Sequence, residues 1–97
     1  MTLNEIMQDI IALEEELLMY ERKYGIPSDI FYASFSQGDE PPDDAWVLDW
    51  GGWASTYQIL QRRRKLFADQ IQKLQQETPL ISLLEKAARR ERTPIAA

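Results

Sequence analysis

Two stretches of the chain carry apolar residues at steps of three and four. The first is Leu3, Ile6, Ile10, Leu13, Leu17, Tyr20 and Tyr24. The second is Trp46, Trp50, Trp53, Tyr57, Leu60, Arg64, Phe67, Ile71 and Leu74, apolar except at Arg64. Such steps average about one helical turn, so each stretch lays a single stripe along a helix. Two stripes of this kind bury each other. The pattern predicts an all-α fold: a long antiparallel, coiled-coil-like helical hairpin. Its seam is the first stripe against Tyr57, Leu60, Phe67, Ile71 and Leu74.

Local signals bound the helices. Thr2 with Glu5 three residues on is a capping box, in which hydroxyl and carboxylate each accept from a free backbone N–H. Gly25 suits a left-handed stop and Pro27 blocks continuation, so helix one spans about 3–24. Ser28 reads as the cap of a short connecting helix, about 29–37, carrying Ile30, Phe31, Ala33 and Phe35 against the closed end. An acidic loop from Gly38 leads to Asp43 or Asp44, either of which caps a long helix over about 45–76. Gly51-Gly52 interrupts good helix formers. The stripe keeps phase across the pair, which predicts one continuous helix; the glycines are read as letting another backbone approach closely, with a kink as the alternative. Thr78-Pro79 starts an amphipathic C-terminal helix, about 79–91, with Leu80, Ile81, Leu83, Leu84, Ala87 and Ala88 on one face. Residues 93–97 read as a loose end. Residues 1–97 form a single helical domain on this reading.

Met7, Ile11 and Leu18 lie off the main stripe on an adjoining face. A two-helix seam does not need them, so a third element is expected there: the short helix or another subunit. Ninety-seven residues bury a modest core. The expected assembly is a helical-bundle homodimer.

Composition narrows the chemistry. The chain has no histidine and no cysteine. That removes the commonest general base and metal ligand, the best nucleophile and any disulfide. The expectation is a non-enzyme with no cofactor and no metal site. No long apolar run predicts a membrane span, and the N-terminus lacks a basic leader, so a cytoplasmic protein is expected.

The net charge of −5 is unevenly spread. Residues 1–50 hold twelve acids against two bases, and residues 51–97 hold four against nine. An acidic arm beside a basic arm favours the antiparallel arrangement. Arg62, Arg63, Arg64 and Lys65 point in four directions on a helix, so they form no single nucleic-acid patch. They are expected to pair with Asp9 and Glu14 to Glu16, with Arg64 setting register within the seam. Nucleic-acid binding is expected to be weak or absent.

The segment Glu21 to Tyr32 reads E-R-K-Y-G-I-P-S-D-I-F-Y and is followed by Phe35, Gly38, Asp39, Asp43-Asp44 and Asp49-Trp50. Over roughly residues 3–75 the chain resembles a family of small acidic bacterial and archaeal proteins. In these a helix ends in a motif like E-K-Y-G-M-S-S-E-E-F, and an acidic loop leads to an acid-Trp pair that opens a long helix. Several members look like TumA-type antitoxins paired with TumE-type toxins. Pro27 and Gly51-Gly52 depart from that pattern, and the C-terminal helix lies beyond it.

The resemblance implies a protein that binds and blocks a small basic toxin. The surface expected to do so is Asp39, Glu40, Asp43, Asp44, Trp46, Asp49, Trp50 and Trp53, since tryptophans rimmed by charge make strong interfaces. Core packing is the competing role for each tryptophan. The competing function is a stand-alone, self-associating structural protein with no obligate partner.

Overall fold

A computed structural model describes residues 1–77 and 80–96. It is all-α: among the described residues there are four α-helices, one 3-10 turn and no strand. The helices are α1 (Leu3–Tyr24), α2 (Ser28–Ser36), α3 (Val47–Glu77) and α4 (Leu80–Ala96), with the 3-10 turn at Asp44–Trp46. The chain divides into two compact units, residues 1–67 and 68–97.

α1 starts and stops where its sequence directs. Thr2 Oγ1 accepts from the Glu5 N–H at 3.1 Å, and Glu5 Oε1 accepts from the Thr2 N–H at 3.0 Å. These bonds hold the Glu5 carboxyl below its usual range. Gly25 adopts φ +70° and donates to the Glu21 carbonyl at 2.8 Å, closing the last turn.

α2 begins one residue earlier than expected, and Ser28 is its first residue rather than its cap. Its hydroxyl is drawn inward: it donates to Glu21 Oε2 at 2.7 Å and accepts from Trp53 Nε1 at 2.9 Å. The residue before the helix is Pro27, whose side chain makes no capping bond. Phe31 is buried and Phe35 and Tyr32 pack on the core, but Ile30 stays 60% exposed.

The long helix is entered through the 3-10 turn. Asp43 Oδ1 accepts from the Ala45 N–H at 2.9 Å, as a capping aspartate should. α3 then runs unbroken from Val47 to Glu77 through both glycines. Gly52 faces α1, where an added Cβ stands 2.7 Å from Tyr20 Oη. Gly51 faces open space.

In the first unit the core is Ile6, Ile10, Leu17, Phe31, Trp53, Ala54 and Leu60, flanked by Leu13, Tyr20, Tyr24, Tyr57, Leu66 and Phe67. The cross-contacts pair Asp9 with Arg63, Glu16 with Thr56, Tyr20 with Trp53 and Tyr24 with Asp49. Partner numbers on α3 fall as those on α1 rise. Leu3 is half-buried at the start of α1.

Two expectations about charge change. Arg64 is exposed, so it does not sit inside the seam. Arg63, about 100° back around the helix, reaches α1 instead and pairs with Asp9 at 3.2 Å. Glu16 takes the hydroxyl of buried Thr56 at 3.1 Å.

In the second unit Ile71 and Leu74 are half-buried, whereas Ile81 and Leu84 of α4 are exposed. The expected Thr78-Pro79 start lies outside the described residues. α4 continues to Ala96, past the expected end at residue 91. Pro94 removes one N–H donor and does not end the helix there.

Candidate functional site

The connection between α2 and α3 carries four exposed acids: Asp39, Glu40, Asp43 and Asp44. Gly38, at φ +92°, turns the chain out of α2. Asp39 Oδ2 then accepts from Ser34 Oγ at 2.6 Å, tying the start of the connection back to the helix. Asp43 shapes the other end through its cap. Glu40 and Asp44 extend the exposed negative run. All four thus present charge on a connection fastened at both ends.

The tryptophans play three different parts. Trp46 is 36% exposed and meets the Tyr24 ring edge-on at 5.6 Å. Trp50 is half-buried, perpendicular to Phe31 at 5.3 Å. Trp53 is 1% exposed and stacks on Phe31 at 3.9 Å, 2° from parallel. Tyr20 and Tyr24 stack on it as well, at 5.7 and 5.6 Å. Trp53 therefore presents no surface to a partner, and of its two expected roles core packing is the one it fills. Its indole N–H, which burial would leave costly to orphan, is satisfied by Ser28.

Asp49 connects the surface to the frame. Its Oδ2 accepts from the Tyr24 hydroxyl at 2.6 Å and pairs with Lys23. The Lys23 ammonium first, and then the Tyr24 hydroxyl, hold the Asp49 carboxyl below its usual range. Burial, reinforced by the bond to Asp49, pushes the Tyr24 phenol up to about 12. Asp49 is thus tied to α1, whereas Asp39 and Asp43 bond only to near neighbours in sequence.

Two exposed residues beside these acids escaped the sequence reading: Val47, 51% exposed, and Leu48, 87% exposed. They fall off the Trp46–Trp50–Trp53 stripe, and an off-stripe apolar residue at a helix start was the available signal. With Trp46 they are three exposed apolar residues that follow the acids along the chain, at successive positions that point in different directions.

Open clefts lie among the described residues of the first unit. One, about 350 Å³, lies by Tyr32, Tyr57, Gln58, Gln61 and Arg62, where the two tyrosine rings stack at 4.7 Å. Another, about 280 Å³, opens between α1 and α3 at the start of α2. Among the described residues no group of three or more acidic side chains is arranged to hold a metal ion, and no helix is long and apolar enough to cross a membrane. Comparison with family models, with curated proteins and with solved structures gives no match for this chain.

Proposed function

We propose that this chain is an antitoxin-like interaction protein that binds and neutralises a small basic toxin, without catalysis of its own. The observation that carries the reading is the exposed acidic run Asp39, Glu40, Asp43 and Asp44 leading into exposed Trp46, Val47 and Leu48. The resemblance to TumA-type antitoxins points the same way, as does the absence of histidine and cysteine from the sequence. The proposed architecture is an antiparallel, coiled-coil-like hairpin of α1 and α3 that assembles into a bundle dimer. The inverse pairing of α1 and α3 positions supports the hairpin. The proposed location is the cytoplasm, and DNA binding by the chain alone is weak or absent.

The functional test is genetic. The account expects a small basic protein encoded beside this chain. Expressed alone it should arrest growth, and co-expression of this chain should restore it. Replacing Glu40 and Asp44 by lysine, which spares the Asp43 cap and the Asp39 tie, should weaken that rescue while leaving the helical circular dichroism unchanged. Full rescue by this variant would remove the acidic connection from the account.

A second reading is a self-associating structural protein. The exposed Met7, Ile11 and Leu18 on one face of α1 favour it, because self-association would cover them. The two readings are compatible, since a partner-binding dimer satisfies both.

A further inference from the structure

We infer that the cleft between α1 and α3 at the start of α2 is a docking groove for a basic amphipathic helix of the partner protein. This inference rests on the proposed reading of a basic partner but places a contact away from the acidic connection. Its floor is apolar: Leu17 and Leu60 are buried beneath it. Leu18, 45% exposed, forms part of its wall. Ile11 and Met7 continue that wall down α1 at helical spacing, 44% and 37% exposed. An apolar strip of this shape accepts the i, i+3/i+4, i+7 residues of another helix.

Charge selects the kind of helix. Glu14, Glu21 and Asp29 line the cleft against one cation, Arg64. Glu21 is occupied by Ser28, which donates to it through both its N–H and its hydroxyl. Glu14 and Asp29 are exposed at the rim. A helix with apolar residues toward the floor and lysine or arginine on its flanks meets both features. The long cationic side chains would lay their stems on Leu18 and carry their heads to the carboxylates.

The groove also continues an interface already formed. α2 lies on the same two helices, with Phe31 seated on Trp53 and Tyr32 on Tyr57. Ser28 and Asp29, at its start, form one end of the cleft. A partner helix entering there would prolong the layer that α2 begins.

The test uses the full chain and two synthetic helical peptides with one leucine pattern. One is flanked by lysine and arginine, the other by glutamate, and binding is read by fluorescence anisotropy. The cationic peptide should bind and the anionic one should not. Glu14→Lys with Asp29→Lys, and separately Leu18→Asp, should each weaken binding at least about tenfold, equal to roughly 1.4 kcal/mol. All three positions are exposed, and circular dichroism verifies that the variants fold. Glu15→Lys, a charge reversal at an exposed position of α1 outside the cleft lining, should leave peptide binding unchanged.

Equal binding of both peptides, or groove variants that bind as the parent does, would overturn the inference. So would a parent dimer that binds neither peptide and is split to monomer by Leu18→Asp; the face would then belong to a second copy. The natural partner separates the two proposals. If it stays on both groove variants but leaves the Glu40/Asp44 variant, the groove fails and the basic-partner reading stands. If no basic protein binds at all, that reading fails.

Discussion

Gly52 and Ser28 show how single side chains set the frame. At Gly52 two effects oppose each other. Alanine gains about 1 kcal/mol of helix propensity over glycine. Its Cβ, however, would stand 2.7 Å from Tyr20 Oη, on a ring already stacked against Trp53. Overpacking of this kind costs about 1–3 kcal/mol, so Gly52→Ala should lower stability in urea denaturation. Tyr20→Phe removes the offending oxygen, leaving the ring carbon at 3.7 Å, an ordinary contact. The double variant should therefore regain most of the loss. Gly51→Ala, in open space, should stabilise by up to about 1 kcal/mol; a loss there would mean that Gly51 has a neighbour the fold does not show.

Ser28 carries a different liability. Ser28→Ala strips the buried Trp53 indole of its acceptor and Glu21 of a donor. An orphaned buried donor costs about 1–3 kcal/mol, to be read as a fall in the denaturation midpoint. A close approach at the glycines was expected of a backbone, but the Tyr20 side chain makes it, and neither partner was legible in the chain. Both pair residues distant in sequence, and a serine after Gly-Ile-Pro looks like a cap whichever way its hydroxyl turns.

At the scale of the element, local signals were the most legible. The capping box at Thr2 and Glu5, the Gly25 stop and the Asp43 cap all act within a few residues, and all are present in the fold. Unbroken α3 follows from the stripe that keeps phase through Gly51-Gly52. What local rules missed was depth. Trp46, Trp50 and Trp53 share a stripe, yet they grade from exposed edge to full burial, because α2 covers Trp53 and leaves Trp46 at the rim. Nothing in the spacing says where a nine-residue helix will lie.

The link between α1 and α3 at Asp49 titrates at both ends of the pH scale. Lys23 and Tyr24 depress the Asp49 carboxyl in the folded chain. Stability from Asp49 is therefore present above its ordinary range and is lost as pH falls through the lower, folded value. Tyr24 is raised from 10.0 to about 12. Its contribution is complete below pH 10 and is lost as pH rises toward 12. A spectrophotometric titration should show Tyr24 ionising above the ordinary phenol value, and Asp49→Asn should bring it part of the way down, since burial remains. A titration unchanged by that substitution would contradict the assigned bond.

For the whole molecule, the uneven charge of the sequence has a plain structural sense only in part. The acidic and basic arms do meet, at Asp9 and Arg63, but that pair is largely exposed and worth less than about 1 kcal/mol. The first unit rests instead on its apolar core, in which Ile6, Ile10, Leu17 and Leu60 join the aromatic stack around Trp53. Other acids remain at the surface: Glu40 and Asp44 in the connection, and Glu14 and Asp29 at the rim. These surfaces give the chain its proposed role. The all-α class was legible from two stripes. The acidic connection was legible as a candidate, and Val47 and Leu48 beside it were not, since exposure depends on what the rest of the chain covers.

The measurement that tests the role most directly is recovery of the tagged chain from its native cells, followed by light scattering of the purified species. The account predicts a complex of fixed stoichiometry that contains a small basic protein and loosens as salt rises. A clean homodimer with nothing attached, at the same mass across salt concentrations, would contradict it and make this a self-associating structural protein.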